Sequence, residues 1–206
     1  MKKLFLTSYF PKVAKLFPVF AGGDCAGKKV VFIPTASVVE KAAFYVKADK
    51  KALEKLGMIV DDLEVSTAAP DEIKTKLSDA DYIFVSGGNT FYLLQEFRRT
   101  GADKLIMEHI NNGKIYIGSS AGSIIASRDI GYAVHMDSIA PAPDLKGDFS
   151  ALSVVDFYVV PHCGNFPFKR ATAKIIREYS DKLDLRPINN NQVVVVDGNK
   201  SETLSV

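Results

Sequence analysis

Ser120 stands between two glycines in the segment KIYIGSSAGS at positions 114–123. A short β-branched and aromatic run leads into Gly118, and the residues after Ser120 have the character of the first turns of a helix. Glycines at 118 and 122 allow the tight strand-to-helix bend of a G-x-S-x-G motif, which exposes the serine hydroxyl as a nucleophile. The amide of Ala121 would begin that helix, where it can stabilise an oxyanion. The same letters also fit an ordinary tight turn.

The histidine that could activate this serine is His162. It follows the apolar run FYVV and Pro161, so we expect it at the carboxyl end of a strand. Ligands of open parallel α/β sheets bind at the carboxyl ends of the strands, which favours His162 as a base close to Ser120. His109 lies in a predicted helix and is expected to face solvent. His135 lies in an irregular segment where no strand fixes its position.

A carboxylate that orients the imidazole would complete a catalytic triad. Asp137, Asp144 and Asp148 all precede His162 in the irregular segment 129–154. Loops this long in compact domains are usually functional, so the segment could supply the acid. Each aspartate could instead be a turn residue, which is the usual role of Asp beside Pro or Gly. Spacing does not choose among the three.

The sequence SGGNT at positions 86–90 could supply a second oxyanion donor. Gly87 and Gly88 follow a buried apolar run, and glycines there let backbone N–H groups point into a cleft. The amide of Gly88 would then form the second half of an oxyanion hole. The alternative is a tight turn in which Asn89 or Thr90 caps the next helix.

Short apolar runs that alternate with longer amphipathic segments must position these residues. Runs such as YIFV and VVVV are apolar throughout, which is typical of strands covered on both faces. The alternation predicts βαβ units and an α/β fold with a mostly parallel sheet. The predicted strands are 3–8, 29–35, 58–65, 81–88, 114–119, 155–162 and 192–198, and the predicted helices lie near 37–56, 71–79, 89–98, 102–112, 121–127 and 166–182.

Composition indicates an ordinary globular protein. With 206 residues, 47% hydrophobic, the chain fits one α/β domain over residues 1–206. The net charge of +2 and the scattered lysines give no sign of a nucleic-acid partner. The chain has no apolar run of about 18 residues, so we expect no membrane span. Cys25 and Cys163 match no metal or redox spacing and fit a reducing cytoplasm.

Three motifs together resemble a known family. VSGGNTFYLL, IGSSAGSIIAS and VVPHCGN occur in this order, as in the dipeptidase E (α-aspartyl dipeptidase) family of serine peptidases, whose more distant relatives include cyanophycinases. The resemblance runs from the first strand to the last. It implies a flavodoxin-like three-layer α/β sandwich, related to class I glutamine amidotransferases but with serine in place of the nucleophilic cysteine. It also implies a cytoplasmic enzyme without a metal or other cofactor.

The resemblance assigns roles to individual residues. It implies Ser120 as the nucleophile and His162 as the general base. Gly88 and Ala121 would supply the oxyanion-hole amides, and the family's acid falls on Asp137. An alternative acid discussed for the family lies near the C-terminal strand. That region of this chain reads PINNNQVVVVDG, with amides where a glutamate would be needed.

These features predict a serine peptidase that hydrolyses short peptides, as a monomer or homodimer, and the resemblance implies dipeptides with an N-terminal aspartate. Asn89, Lys169 and Arg170 are the predicted substrate-binding residues, although the two cations could equally be solvated at the start of a helix. Aspartyl dipeptidases have a longer segment after the catalytic histidine than this chain. The alternatives are an inactive or regulatory binding protein of the same fold, or an esterase. The strand predicted after His162 argues against an α/β-hydrolase esterase.

Overall fold

The computed structural model describes residues 1–41 and 43–206, and the fold is built around strands that are apolar on both sides. The strands are β1 (Lys3–Thr7), β2 (Lys29–Ile33), β3 (Ile59–Asp62), β4 (Tyr82–Val85), β5 (Ile115–Ser119), β6 (Tyr158–Val160), β7 (Leu185–Pro187), β8 (Gln192–Asp197) and β9 (Lys200–Ser205). The helices are α1 (Phe10–Val13), α2 (Phe17–Ala21), α3 (Phe44–Lys55), α4 (Pro70–Asp79), α5 (Thr90–Thr100), α6 (Ala102–Asn111), α7 (Ala121–Ile124) and α8 (Lys169–Tyr179).

Seven strands form the main sheet in the order β3-β2-β4-β5-β1-β8-β9. The first five in this order are parallel to their neighbours, whereas β8 runs antiparallel to β1 and β9 antiparallel to β8. The predicted α/β class with a mostly parallel sheet is therefore confirmed. Because β4, β5 and β1 lie side by side, their carboxyl ends meet at one edge of the sheet, where ligands of such sheets bind.

The two faces of the sheet are covered by different helices, which gives three layers. Along β1, Leu4 and Leu6 join one apolar cluster and Phe5 joins the other, because successive side chains of a strand point to opposite faces. Helices α4 to α8 contribute to the first cluster and α1 to α3 to the second. None of the helices in the described chain is long and apolar enough to span a membrane.

Several elements differ from the predicted ones. The predicted strand 155–162 corresponds to β6, which lies outside the main sheet and pairs in parallel with β7. The predicted helix 37–56 begins only at Phe44. Helices α1 and α2 have four and five residues, which is too short for an apolar period to show. Strand β9 is a mostly exposed edge strand, so it lacks the apolar signal of the others.

The irregular segment 129–154 is a packed part of the protein. It contains two 3₁₀ turns, Gly131–His135 and Pro143–Leu145, and its buried residues join the first apolar cluster. The hydroxyl of Tyr132 donates a hydrogen bond of 2.6 Å to the carbonyl oxygen of Val159 in β6. Tyr132 therefore ties this segment to the strand that leads to His162.

Replacing this hydroxyl tests how much the tie contributes to stability. We expect Tyr132→Phe to lower the free energy of unfolding by about 0.5–1.5 kcal/mol, the usual net value of one hydrogen bond. Urea denaturation followed by circular dichroism measures the change. Tyr158→Phe is the control, because it removes a hydroxyl from the ring that packs edge-on against Tyr132 and leaves the bond from Tyr132 to Val159 intact. Equal effects of the two substitutions would contradict the assignment.

Candidate active site

Ser120 occupies a strained turn between β5 and α7. Its backbone has φ 52° and ψ −108°, a conformation that a residue with a side chain rarely adopts. The chain packs closely here: a side chain at Gly118 would lie 2.5 Å from the carbonyl oxygen of Gly122. That same oxygen accepts a 2.6 Å hydrogen bond from the buried hydroxyl of Tyr116. These contacts hold the turn, so the G-x-S-x-G segment forms the bend that its glycines predict.

His162 lies beside this serine. Its Nε2 atom is 2.9 Å from Oγ of Ser120, which is hydrogen-bonding distance. The histidine has a positive φ of 60° and lies two residues after the end of β6. Its backbone N–H donates a 2.7 Å hydrogen bond to Oγ of Ser8, which follows β1. The structure thus brings the two predicted residues together from two different strand ends.

The side chain that orients His162 is Asn190. Its Oδ1 atom is 2.8 Å from Nδ1 of the imidazole and also accepts a 2.8 Å hydrogen bond from the hydroxyl of Ser8. The Ser8 oxygen itself lies 3.2 Å from Nδ1. Because an amide oxygen can only accept, the contact favours the tautomer with its proton on Nδ1. Nε2 is then free to accept the proton of Ser120.

Asn190 was not predicted from the sequence. The amides in PINNNQ stand where the family places an acid, and they were interpreted only as the absence of that acid. An amide oxygen can nevertheless accept the Nδ1 proton and hold an imidazole in place, as in proteases with a cysteine–histidine–asparagine arrangement. The available signal was therefore the amides themselves, read as acceptors.

Asp137 does not occupy the predicted position beside the imidazole. Its Oδ2 atom accepts hydrogen bonds from the backbone N–H of Thr90, at 2.9 Å, and from the Thr90 hydroxyl, at 2.5 Å. The aspartate follows the 3₁₀ turn of the irregular segment, which directs its carboxylate to the start of α5. There it satisfies an N–H that the first turn of a helix leaves unpaired. Burial raises the pKa of Asp137 to about 6.

The other two aspartates considered for this role are also remote from His162. Asp144 is exposed, and its backbone N–H donates to the side chain of Gln95. Asp148 is exposed and lies 3.2 Å from the guanidinium of Arg98, an ion pair on the surface of α5. Neither lines the cleft described below.

The other two histidines contact neighbouring parts of the protein and do not contact Ser120. His109 is buried, with 4% of its surface exposed, so the expectation that it faces solvent is wrong. Its Nε2 atom is 3.2 Å from the carbonyl oxygen of Ile115, and burial lowers its pKa to about 4. His135 lies 2.7 Å from a carboxylate oxygen of Glu178 on α8. The helical period alone did not show that this face of α6 is covered.

The surroundings of His162 favour its neutral form. Burial lowers the pKa of His162, and the contact with Asn190 only partly offsets this effect. The ring of Phe168 stacks on the imidazole, with a centroid distance of 4.9 Å and an angle of 24° between the planes. This ring covers one face of the imidazole from water. A neutral imidazole at neutral pH is the form that can act as a general base.

The glycine segment after β4 lies directly against Ser120. A side chain at Gly87 would come within 3.2 Å of Cβ of Ser120. Gly88 has φ 133°, and a side chain there would collide with the carbonyl of Ala36. The next residue, Asn89, donates its backbone N–H to that carbonyl at 2.8 Å. The loop is therefore fixed in place beside the nucleophile.

Of the three predicted substrate-binding residues, only Asn89 lines the cleft. Asn89 lines the cleft, but its amide is engaged within the protein: Oδ1 caps α5 by accepting the N–H of Tyr92, and Nδ2 donates to the carbonyl of Ser138. Lys169 and Arg170 are the first two residues of α8 and are exposed. They are not among the described residues that line the cleft.

The cleft above Ser120 has a volume of about 650 Å³. Its floor is polar and contains Ser8, Ser119, Ser120, His162 and Asn190. Its outer walls are largely apolar and contain Val39, Phe44, Met136, Pro141, Phe166, Pro167 and Phe168. Clefts of this size and polarity take small ligands, with a few polar groups that fix the orientation.

An α/β sheet with a serine in a strained turn and a histidine at the same edge is the arrangement of hydrolytic enzymes. The chain belongs to peptidase family S51, whose description matches residues 4–204. The resemblance stated from the motifs is therefore confirmed at the level of the family.

Two relatives and one crystal structure support the assignment to this peptidase family. An uncharacterized peptidase of Listeria monocytogenes is 52% identical over 198 residues, which is 96% of each chain. A peptidase E of Shewanella is 33% identical over 156 residues, covering 76% of this chain and 62% of that protein. A crystal structure from Listeria monocytogenes, described as that of a candidate peptidase E, superposes with a TM-score of 0.95 at 50% identity and covers 100% of this chain and 99% of that one.

The contact between His162 and Asn190 predicts a shift that can be measured without a substrate. We expect the wild-type imidazole to titrate below the ordinary histidine value, because burial disfavours its charged form. Asn190→Asp would place a negative charge against the ring and raise this pKa by about 1–3 units. NMR titration of the ring carbons of His162 measures both values.

The matched control is Asn191→Asp, which adds the same charge one residue away at an exposed position. We expect it to change the pKa of His162 much less. An unchanged pKa in Asn190→Asp would contradict the contact with Nδ1.

Proposed function

We propose that this protein is a serine peptidase that hydrolyses short peptides through an acyl-enzyme on Ser120. The observation that carries the proposal is the 2.9 Å contact between Nε2 of His162 and Oγ of Ser120, made at a strained turn that exposes the serine to the cleft. Family membership supports the peptidase class. The serine mechanism is supported by the geometry of the pair.

The mechanism proceeds in two halves. Nε2 of His162 accepts the proton of Ser120 while Oγ bonds to the scissile carbonyl carbon, and the backbone N–H groups of Gly88 and Ala121 stabilise the oxyanion. The imidazolium then gives its proton to the amine nitrogen, the C–N bond breaks and the amine leaves. A water molecule, deprotonated by His162, attacks the acyl carbon. The C–O bond to Ser120 breaks, the serine regains its proton and the carboxylate product leaves.

Asn190 and Ser8 serve this mechanism as positioning residues. Together they hold the Nδ1 side of the imidazole, so Nε2 stays directed at Ser120 in both halves of the reaction. An amide carries no charge, so it stabilises the imidazolium less than a carboxylate would. His162 therefore remains a free base to lower pH than a histidine paired with an acid.

The preference for an N-terminal aspartate, which the resemblance implies, has weaker support. It requires a cation at the substrate side chain, and Lys169 and Arg170 are the residues considered for it. Both would have to turn from the exposed start of α8 into the cleft. The proposal is therefore made for short peptides as a class, with the aspartate preference as one case to be measured.

Other parts of the proposal depend on the resemblance. With it, we propose a cytoplasmic enzyme of one domain over residues 1–206, independent of a metal or other cofactor, that acts as a monomer or homodimer. A binding protein of the same fold without turnover, and an esterase, are the alternatives against which the following experiment is designed.

Hydrolysis of a dipeptide panel by wild type and Ser120→Ala tests the proposal. The panel contains Asp-X, Glu-X, Ala-X and Leu-X, with release of the free amino acids as the readout. We expect the substitution to lower kcat/KM by about 10³-fold or more, because it removes the nucleophile. Wild-type kcat/KM should fall as the pH drops through the pKa of His162, which burial lowers, because the protonated imidazole cannot act as a base.

Ser127→Ala is the control. Ser127 is buried, its hydroxyl has no hydrogen-bond partner in the described part of the chain, and it does not line the cleft. Its activity should equal that of wild type. Cleavage of p-nitrophenyl esters without peptide cleavage would favour the esterase, and absence of any Ser120-dependent turnover would favour the binding protein.

A further inference from the structure

The charged side chains that line the cleft disfavour acidic substrates. Apart from His162, two of the described residues that line the cleft have a side chain that can carry a full charge. These are Glu40 and Asp137, and both are carboxylates. Both line the cleft that contains Ser120, and the charge of Glu40 adds a smaller contribution to the effect of burial on the pKa of Asp137. Oδ2 of Asp137 accepts hydrogen bonds from both the backbone N–H and the hydroxyl of Thr90, which suits the ionised form of a carboxyl group. An aspartate side chain entering this cleft would meet two like charges.

A third polar group accompanies this acidic pair. The hydroxyl oxygen of Tyr45 is buried and lacks a hydrogen-bond partner in the part of the chain that the structure describes. Its ring lies against Gly87, where a side chain would be 3.7 Å from the ring edge, and therefore next to Ser120. Burial raises the pKa of Tyr45 to about 12, and the charges of Glu40 and Asp137 add to this effect. All three residues line the same cleft. A cationic substrate group would satisfy the carboxylates and could be joined by this hydroxyl.

The outer wall of the cleft exposes large apolar side chains. Phe166 is 95% exposed and Phe44 is 74% exposed, yet both line the cleft. Val39 and Met136 extend the same wall. Aromatic rings in water are unfavourable by the hydrophobic effect, and their concentration at one cleft marks a binding surface. An apolar side chain placed there would remove both partners from water.

We propose that this cleft selects short peptides whose N-terminal residue, the one that supplies the scissile carbonyl, has an apolar side chain. Phe44 and Phe166 bind that side chain, Glu40 and Asp137 bind the free α-ammonium group, and the same carboxylates repel an acidic side chain. This inference rests on the proposed peptidase function and names its substrate class. It differs from the aspartate preference that the resemblance implies.

The selectivity is tested by comparing Leu-Ala with Asp-Ala. We expect wild-type kcat/KM to favour Leu-Ala by about 100-fold or more. Glu40→Gln should lower kcat/KM for Leu-Ala and shift the Leu-Ala to Asp-Ala ratio about 10-fold toward Asp-Ala, because both dipeptides lose a partner of the ammonium group but only Asp-Ala loses a repelling charge. Phe166→Ala should raise KM for Leu-Ala with little change in kcat, which is the signature of lost ground-state binding.

The controls carry the same chemical changes away from the cleft. Glu202→Gln removes a carboxylate from the exposed edge strand β9, and Val19→Ala shortens an apolar side chain that is 86% exposed on α2. Neither should change the Leu-Ala to Asp-Ala ratio. Calorimetric binding of both dipeptides to Ser120→Ala provides a second readout that needs no turnover, and tighter binding of Leu-Ala is expected.

The outcomes distinguish this inference from the proposed function. Ser120-dependent cleavage that favours Asp-Ala would overturn the inference and leave the peptidase intact. Absence of Ser120-dependent cleavage of any dipeptide, together with no binding to Ser120→Ala, would overturn both. If Phe166→Ala altered the sedimentation of the protein and not its KM for Leu-Ala, a second copy of the chain would be the occupant of the wall, and the inference would be rejected.

Discussion

The site depends on the strained backbone of Ser120. A serine with a positive φ persists only where its surroundings determine its position, and here the surroundings are the central strands of the sheet. Gly118 and Gly122 allow the chain to pack against itself, and the backbone N–H of Ser120 donates to the carbonyl of Thr7 at the end of β1. Because β5 is hydrogen-bonded to β4 and β1, this turn cannot relax without disturbing the middle of the sheet.

The position of His162 beside Ser120 depends on the pairing of β1 with β8. Strand β8 runs antiparallel to β1, with Thr7 opposite Val193, so the end of β1 and the start of β8 lie side by side. Ser8 follows β1 and Asn190 precedes β8, which explains why these two residues meet and hold His162 between them. Strand β6 stays outside the main sheet and delivers His162 to this pair. Three separate parts of the chain therefore define one imidazole orientation.

The carboxylates of the site are separate from the histidine that acts as its base. Asn190 gives the imidazole an acceptor without a charge, whereas Asp137 satisfies the start of α5 at the cleft wall. Glu40 also lines the cleft, and neither it nor Asp137 makes a hydrogen bond with the imidazole among the described residues. Burial lowers the pKa of His162 with no carboxylate at the imidazole to offset it, and the inferred preference for a cationic substrate group depends on the two carboxylates elsewhere in the cleft.

The amino-acid sequence alone determined the local features. Continuous apolar runs indicated the buried parallel strands, the glycines around Ser120 indicated the tight turn, and the apolar run before His162 indicated the strand that it follows. These features depend on neighbouring residues and on short periods, which a single sequence displays. For the same reason helices α4, α5 and α6 lie within a few residues of their predicted bounds.

Only the tertiary structure decided which side chain meets the imidazole. The choice of Asn190 over Asp137 depends on the antiparallel pairing of β8 with β1 and on the packing of the irregular segment against α5. The burial of His109 depends likewise on contacts of α6 with the rest of the fold. Such pairings join residues far apart in the chain, and no local pattern records them. The sequence thus determined which residues could react, and the packing of distant segments determined how they are arranged.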